Sequence, residues 1–431
     1  MGILKRALHE AFAVSRRRPA ADQVGVRDAP RGKPGAAQQG MCVVILNWRR
    51  GENDPFSVFN SCLREHLRAC GKNAELLETA SDDWPQRLAE LAHGGIEFVL
   101  TWQGLGSQVK VGDSGVSLWD HLRIPLICLH GDHPSHMPLN HQLESRYCYH
   151  LYSDADFARY SNRHLRWLRG ASVIDLPQLH RELPLARTSG NYFVVAKNIT
   201  HPVDTEELWK EKFDEPTFNA YMAAAEVLKR QIAEVRYVET HDVLDALIIE
   251  RDFHWLRPEA NGPAHHQFHS QLDKYMRHYK SVAAVTALRE FPLRVYGRGW
   301  ERTAQSAPPL HVFAPGLNMA DSQELYYSRF GIVDISASKG LHDRTRRAMA
   351  NGVGFLSSAN LEDSFPDIAR YDRLFFAFGE HELAEKCADV AADPDGQREV
   401  ARQFADLYHS TYHFKRFVKH LDLLAKSVAE F

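Results

Sequence analysis

The stretch GIVDISASKGLHDRTRRAMANGVGFLSS, residues 331–358, decides the fold. Its opening, GIVDISAS, is an apolar run with the length of a buried strand. HDRTRRAMANG then carries helical spacing and ends on Gly352, a residue type that stops helices because it tolerates a left-handed backbone. GVGFLSS returns to an apolar strand. Strand, helix and strand at this spacing predict a parallel βαβ unit, the building block of a doubly wound sheet.

The same alternation extends in both directions. NYFVVAKNIT (191–200), FPLRVYGRGW (291–300), HVFAPG (311–316) and LFFAFG (374–379) read as further strands, and SQELYYSRF (322–330) reads as a helix. Residues 205–290 read as mostly helical, with breaks near Pro216 and around RPEANGPAHH. Towards the N-terminus, MCVVILNW (41–48), residues 74–77, IEFVLTW (96–102), PLICLHGD (125–132), YCYHLYSD (147–154) and ASVIDLP read as strands with helices between them. Two α/β halves result, with a seam near residues 180–190 and no shorter internal repeat. The expected domains are a disordered basic tail over 1–40, an N-terminal Rossmann-like domain over 41–187 and a C-terminal one over 188–408. A final helix over 409–431 is expected to pack back toward the N-terminal domain.

The bulk numbers agree with two domains. The chain has 431 residues, too many for one ordinary core. It is 44% hydrophobic and 25% charged, as soluble globular proteins are. A net charge of -3 gives no global basic field, so no nucleic-acid partner is expected. The 24 histidines are scattered, without an HExxH or other tight metal pattern, and read mostly as surface or loop residues. The six cysteines form no CxxC, and Cys42 and Cys128 lie in apolar runs where a reduced cysteine acts as a small hydrophobe. This usage predicts a reducing, cytoplasmic setting. No secretory signal or membrane span is read. The first fifteen or so residues read either as a frayed basic tail or as a short amphipathic helix in weak peripheral contact with anionic membrane.

Ligands of open α/β sheets bind beyond the carboxyl ends of the strands. In the second half those positions hold Lys197, Asn198, Gly297, Arg298, Lys339, Gly340, His342, Asp343 and Arg344. Cations beside a helix N-terminus suit a diphosphate, because backbone N–H groups and side-chain charges stabilise the same anion. In the first half Gly104 and Gly106 either permit close ligand approach or only shape a turn. Asp132 and His133 read either as a catalytic base acting on an acceptor hydroxyl or as an Asp-His-Pro turn. Trp102 is the tryptophan singled out for sugar stacking.

GIVDISASKGLHDRTRRAMANGVGFLSSANLEDSF resembles the C-terminal domain of GT-B glycosyltransferases, in particular the bacterial CgeB-like group within glycosyltransferase group 1. YGRGW, ELYYSRF, GLGSQ and PLICLHGDHPSH fit the same pattern, and the resemblance spans roughly residues 41–425. It implies two Rossmann-like domains facing across a cleft, and transfer of a sugar (hexosyltransferase-like chemistry) from a nucleotide-diphosphate donor to an unknown glycan, lipid or protein acceptor. It implies a place in glycan or cell-envelope biosynthesis. The donor belongs on the second domain, held by Lys197, Asn198, Arg298, Lys339, His342, Asp343 and Arg344, and the acceptor on the first. No cofactor and no metal are expected, since cations replace the ion. One departure stands out. Lys339 and Arg347 occupy positions where many retaining members carry glutamates, which implies either that Asp343 substitutes in holding the donor ribose or that donor binding is weakened.

Two rivals remain open at this point. Asp154-Ala155-Asp156 could hold a metal in a metal-dependent transferase, or could simply cap a helix. The lost glutamates could instead mark a degenerate GT-B domain acting as a non-catalytic binding module.

Overall fold

The computed structural model describes residues 41–48, 55–81, 83–111, 115–141, 144–165, 168, 171–174, 176–177, 190–234, 237–317, 321–336, 339–379 and 381–429. The expectations for residues 1–40, a disordered basic tail or a weak membrane contact, and the seam at 180–189 lie outside the described residues. The chain forms two compact units. Unit 1 is Met1–Leu179 with Tyr412–Phe431, and unit 2 is His180–Thr411.

In unit 1 the elements run β1 (Cys42–Asn47), α1 (Pro55–Ala69), β2 (Asn73–Glu78), α2 (Trp84–Gly94), β3 (Ile96–Trp102), α3 (Leu118–Leu122), β4 (Leu126–His130), β5 (Cys148–Tyr152), α4 (Ala155–His164) and β6 (Ala171–Val173). The six strands are parallel, in the order β2-β1-β3-β4-β5-β6. The continuous apolar runs follow from burial on both faces. Val43 and Ile45 of β1 enter one core with Phe98, Leu100, Ile127 and Leu129, while Cys42, Val44 and Leu46 enter the other with Val99, Leu126 and Trp119. The first of these cores is closed by α13 (Phe414–Ala429), whose Phe417, Val418 and Leu421 pack into it.

Unit 2 has β7 (Phe193–Ala196), α5 (Pro202–Lys212), α6 (Glu215–Glu234), α7 (Thr240–Glu250), α8 (Pro258–Ala287), β8 (Leu293–Tyr296), α9 (Glu301–Gln305), β9 (His311–Ala314), β10 (Gly331–Asp334), α10 (Asp343–Ala350), β11 (Phe355–Ser357), α11 (Glu382–Ala392) and α12 (Pro394–Thr411). Its parallel order is β11-β10-β7-β8-β9. This is a Rossmann order, and its topological switch point lies between β7 and β10, where a ligand crevice opens in such sheets. The expected class, an α/β chain with two Rossmann-like parallel sheets, is the one the structure has.

Three local expectations are corrected. RPEANGPAHH breaks the helical region only at its first residue, Arg257, which precedes α8, and the rest of the stretch is helical. Pro258 starts α8 and Pro263 lies inside it. One backbone bond is lost near the helix start, while Ala264, Phe268, Leu272 and Tyr275 bury the face that holds it. SQELYYSRF is not an α-helix but a 3-10 turn over Asp321–Tyr326. The Ser328 hydroxyl bonds the Tyr192 carbonyl and accepts from Gly331 N (3.1 Å), so the backbone leaves the helix to meet β7 and β10. LFFAFG forms no strand. β11 is only three residues long, and Phe375 makes a single bridge to Ser357.

The closure of the unit 1 core by α13 gives a stability prediction. Leu421 is fully buried and Leu423 is 58% exposed. Leu421→Ala is expected to cost about 2–5 kcal/mol, the range for truncating a buried leucine. Leu423→Ala should change stability by about 0.5 kcal/mol or less. Urea unfolding of the two variants separates these outcomes, and equal midpoints would contradict the packing.

Candidate functional site

The site in unit 2 is built where β7, β8 and β10 end. Lys197 follows β7 directly. Its carbonyl accepts from Trp300 Nε1 (2.7 Å), and its backbone N donates to the Tyr296 carbonyl (2.9 Å). Gly297, at the end of β8, has φ 150°, and a Cβ there would lie 2.0 Å from the Lys197 carbonyl oxygen. Only glycine permits this approach. Asn198 Oδ1 accepts from Arg298 N (3.0 Å), and Ile199 N donates to the Arg298 carbonyl (2.9 Å). The loops after β7 and β8 are therefore one interlocked surface.

Asp334 ends β10 and is buried. Thr345 Oγ1 donates to its Oδ2 (2.8 Å), and the Arg344 guanidinium lies 3.3 Å from its Oδ1. Burial pushes the carboxyl up, but the His342 ring, Arg344, the Thr345 bond and Lys197 outweigh it and hold the group below the usual carboxylate range. His342 caps α10, its Nδ1 accepting from Arg344 N (3.3 Å). Burial and the Arg344 charge lower its pKa to about 3, so the ring is neutral at physiological pH.

α8 supplies groups that sequence reading missed. Arg277, His278 and Lys280 stand near its C-terminal end. Burial lowers Lys197 to about 7, helped by Arg344, Arg277 and Lys280 and opposed by Asp334. Burial likewise lowers Lys280 to about 8, with Asp273 opposing and Arg277 assisting, and its Nζ donates to the Ser336 carbonyl (3.4 Å). His278 falls to about 4 through burial and the nearby Lys197 and Arg277, while its Nδ1 accepts from Thr200 N (3.2 Å). Arg277 pairs with Asp273 (2.7 Å). Two guanidiniums thus have carboxylates, and two lysines sit in a field that disfavours their charge. A bound anion would favour the charged form of both lysines.

The other predicted residues are held by local contacts. The Lys339 ammonium pairs with Asp363 and lies 5.8 Å from the centre of the Tyr237 ring. The Gly340 carbonyl accepts from Ser336 Oγ (2.7 Å). Asp343 is the first residue of α10, and Arg347 is buried. The Tyr326 hydroxyl is buried near the charges of Arg347, Asp343 and Arg344. In unit 1, Gln103 Nε2 donates to Asp132 Oδ2 (3.0 Å). His133 is buried and caps the 3-10 turn Pro134–His136, its Nδ1 accepting from Ser135 N (3.2 Å). Gly104 and Gly106 have φ 65° and 86° in the turn after β3. A Cβ on Gly104 would come within 3.1 Å of the Asn140 carbonyl. Trp102 belongs to the core and donates to Asn60 Oδ1 (2.8 Å), which corrects its reading as a stacking platform. Asp154 caps α4 by accepting from Asp156 N (2.8 Å), and Asp156 pairs with Arg159.

Among the described residues no helix is long and apolar enough to cross a membrane. No protein-family model matches the chain, and no curated protein matches it. Similar solved structures include T4 phage BGT in complex with UDP and Mn2+, at 9% identity over 90% of this chain and 99% of that one, with a TM-score of 0.46. T4 phage BGT in complex with its UDP-glucose substrate is similar at 8% identity over 91% and 100%, with a TM-score of 0.49. MurG of Acinetobacter baumannii is similar at 11% identity over 90% and 99%, with a TM-score of 0.34. At these scores the likenesses carry no argument about activity. The first does correct one expectation, that no metal takes part, since that structure is in complex with UDP and Mn2+. Diphosphate oxygens can themselves ligate a divalent ion, so a cationic protein surface does not exclude one. Among the described residues no group of three metal-ligating side chains lies at the Asp334 cluster, so an ion there would depend on ligands brought by the nucleotide.

Proposed function

We propose that this chain is a glycosyltransferase that takes its sugar from a nucleotide-diphosphate donor bound on unit 2. The observation that carries this reading is the Lys197, Arg277, Lys280 and Arg344 cluster around Asp334, at the switch point between β7 and β10. In the proposed complex the diphosphate oxygens meet Lys197, Arg344 and the first N–H groups of α10. The bond from the anomeric carbon to the diphosphate oxygen breaks, and a bond from that carbon to an acceptor oxygen forms. The cluster stabilises the charge that develops on the leaving diphosphate. The acceptor is assigned to unit 1, where Asp132 takes the hydroxyl proton. His133 is less suited to that task, because its Nδ1 already serves Ser135. Within the GT-B class, the segment around His342 and Arg344 supports a place near the CgeB-like group. Lys339, engaged with Asp363, is left outside the phosphate set.

A panel of nucleotides and nucleotide sugars, followed by calorimetric titration with whichever binds, tests the reading. No binding by any member would sink it. Arg344→Ala is expected to weaken the binding nucleotide about 10- to 100-fold, the loss of a charged hydrogen bond. Asp132→Ala should lower turnover with affinity little changed. Equal affinity losses in the two variants would contradict the division of labour.

The lowered Lys197 gives a pH prediction. Its pKa of about 7 in the free protein leaves much of the ammonium deprotonated above neutrality. A bound diphosphate favours the charged form and raises that pKa. Binding should therefore take up protons above pH 7 and weaken as pH rises toward 9. Titrations in buffers of different ionisation enthalpy measure the uptake, and Lys197→Met should reduce it to the part that Lys280 contributes. Proton release in this window would contradict the assignment.

A further inference from the structure

Unit 1 buries an unusual set of side chains on one face of its sheet. Cys128 and His130 alternate along β4, and Cys148, His150 and Tyr152 alternate along β5, so all five point the same way. The strands pair with Leu126 opposite Cys148 and Cys128 opposite His150. All five residues are buried, and His141 is buried with them. The Cys128 and Cys148 sulfurs are 3.6 Å apart, and Cys148 Sγ lies 3.5 Å from His150 Nε2. The ligand atoms of Cys128, Cys148 and His150 all lie within 4.8 Å of one another.

We propose that Cys128, Cys148 and His150 bind a divalent ion of the zinc class. The spacing is the first ground. A tetrahedral zinc with bonds of about 2.3 Å to sulfur and 2.0 Å to nitrogen has edges of about 3.8 Å between sulfurs and 3.5 Å between sulfur and nitrogen. The Cys128–Cys148 and Cys148–His150 separations match these edges, and the Cys128–His150 one lies within 4.8 Å. Ligand type is the second ground, because two thiolates and an imidazole favour zinc over magnesium, calcium or manganese. Charge is the third. Two thiolates cancel the two charges of the ion, so the buried centre is neutral and avoids the cost of an unpaired charge. The surroundings are the fourth. His150 Nδ1 lies 2.9 Å from His130 Nε2, so the ligand ring can donate its remaining N–H to a neighbouring ring, the arrangement that fixes the tautomer of metal-bound histidines. His141 stacks on both rings, with centroids 4.7 and 4.9 Å away, and its Nε2 lies 2.7 Å from the Tyr152 hydroxyl.

Binding forms two metal–sulfur bonds and one metal–nitrogen bond, and the two thiol protons leave to solvent. This centre is independent of the nucleotide reading, since every one of its ligands belongs to unit 1.

The test uses tag-free, reduced, metal-stripped full-length protein titrated with cobalt(II). The expected result is a near-ultraviolet thiolate-to-cobalt band with visible tetrahedral bands. Both should saturate at one ion per chain and be bleached by zinc. Cys148→Ser should lose most of the charge-transfer intensity, and Cys387→Ser, a buried cysteine of unit 2, should retain it. Because Cys148→Ser can fail to fold, X-ray absorption on the zinc-loaded wild type is a second measurement, expected to show two sulfur scatterers at about 2.3 Å. A folded wild type without the charge-transfer band, a zinc shell containing only nitrogen and oxygen, or a Cys128–Cys148 disulfide in protein isolated under thiol trapping would each overturn the proposal.

Discussion

Asp334 places a buried carboxylate at the end of a strand, and the arrangement of unit 2 around the switch point follows from satisfying it. A lone buried carboxylate is costly. Here Thr345 and Arg344 come from the first turn of α10, so the same interactions that stabilise the charge also fix where that helix begins. His342 caps the helix and is kept neutral by burial and by Arg344. Lys197 arrives from β7, which pairs directly with β10. One negative charge thus ties together two strands, a helix N-terminus and a lysine separated by more than a hundred positions in the chain.

The cluster is overcompensated by the fold as a whole rather than by any single residue. Arg344 and Arg277 have Asp334 and Asp273 as partners, while burial and the neighbouring cations disfavour the charges of Lys197 and Lys280. Within an isolated protein this arrangement is a net electrostatic cost. In the proposed donor complex a bound diphosphate offsets that cost, a difference that separates a binding surface from a structural ion-pair network. The interlocked loops after β7 and β8 keep the cations from relaxing away, because Gly297 brings its backbone against the Lys197 carbonyl.

Much of this was legible in the sequence. The apolar runs over 42–47, 96–102, 126–130 and 331–334 became buried parallel strands because burial on both faces removes the polar alternation. Lys197, His342 and Arg344 could be placed because strand ends are readable and ligands of open α/β sheets bind just beyond them. Arg277, His278 and Lys280 could not, since nothing local shows that the last turns of a long helix face β7. Asp334 gave a faint signal, an acid inside an apolar strand. LFFAFG and SQELYYSRF misled because strand formation needs a partner of sufficient length and because the Ser328 hydroxyl bonds the Tyr192 carbonyl, drawing the chain toward β7.

The thiol and imidazole cluster shows the same limit more sharply. Cys128 and Cys148 are 20 positions apart, and each sits in a run that reads as ordinary core. Their meeting depends on register, with Cys128 opposite His150 and Cys148 two positions earlier on the same face. A slip of one residue would turn Cys148 and His150 to the opposite face of the sheet. Sequence spacing finds metal sites when ligands share a turn or a hairpin, whose geometry is local. Here the ligands come from neighbouring parallel strands, whose crossover leaves the register undetermined until the whole sheet is assembled. The two units therefore place different chemistry on their sheets, unit 2 beyond the strand ends and assembled by charge, unit 1 within the strands and assembled by register.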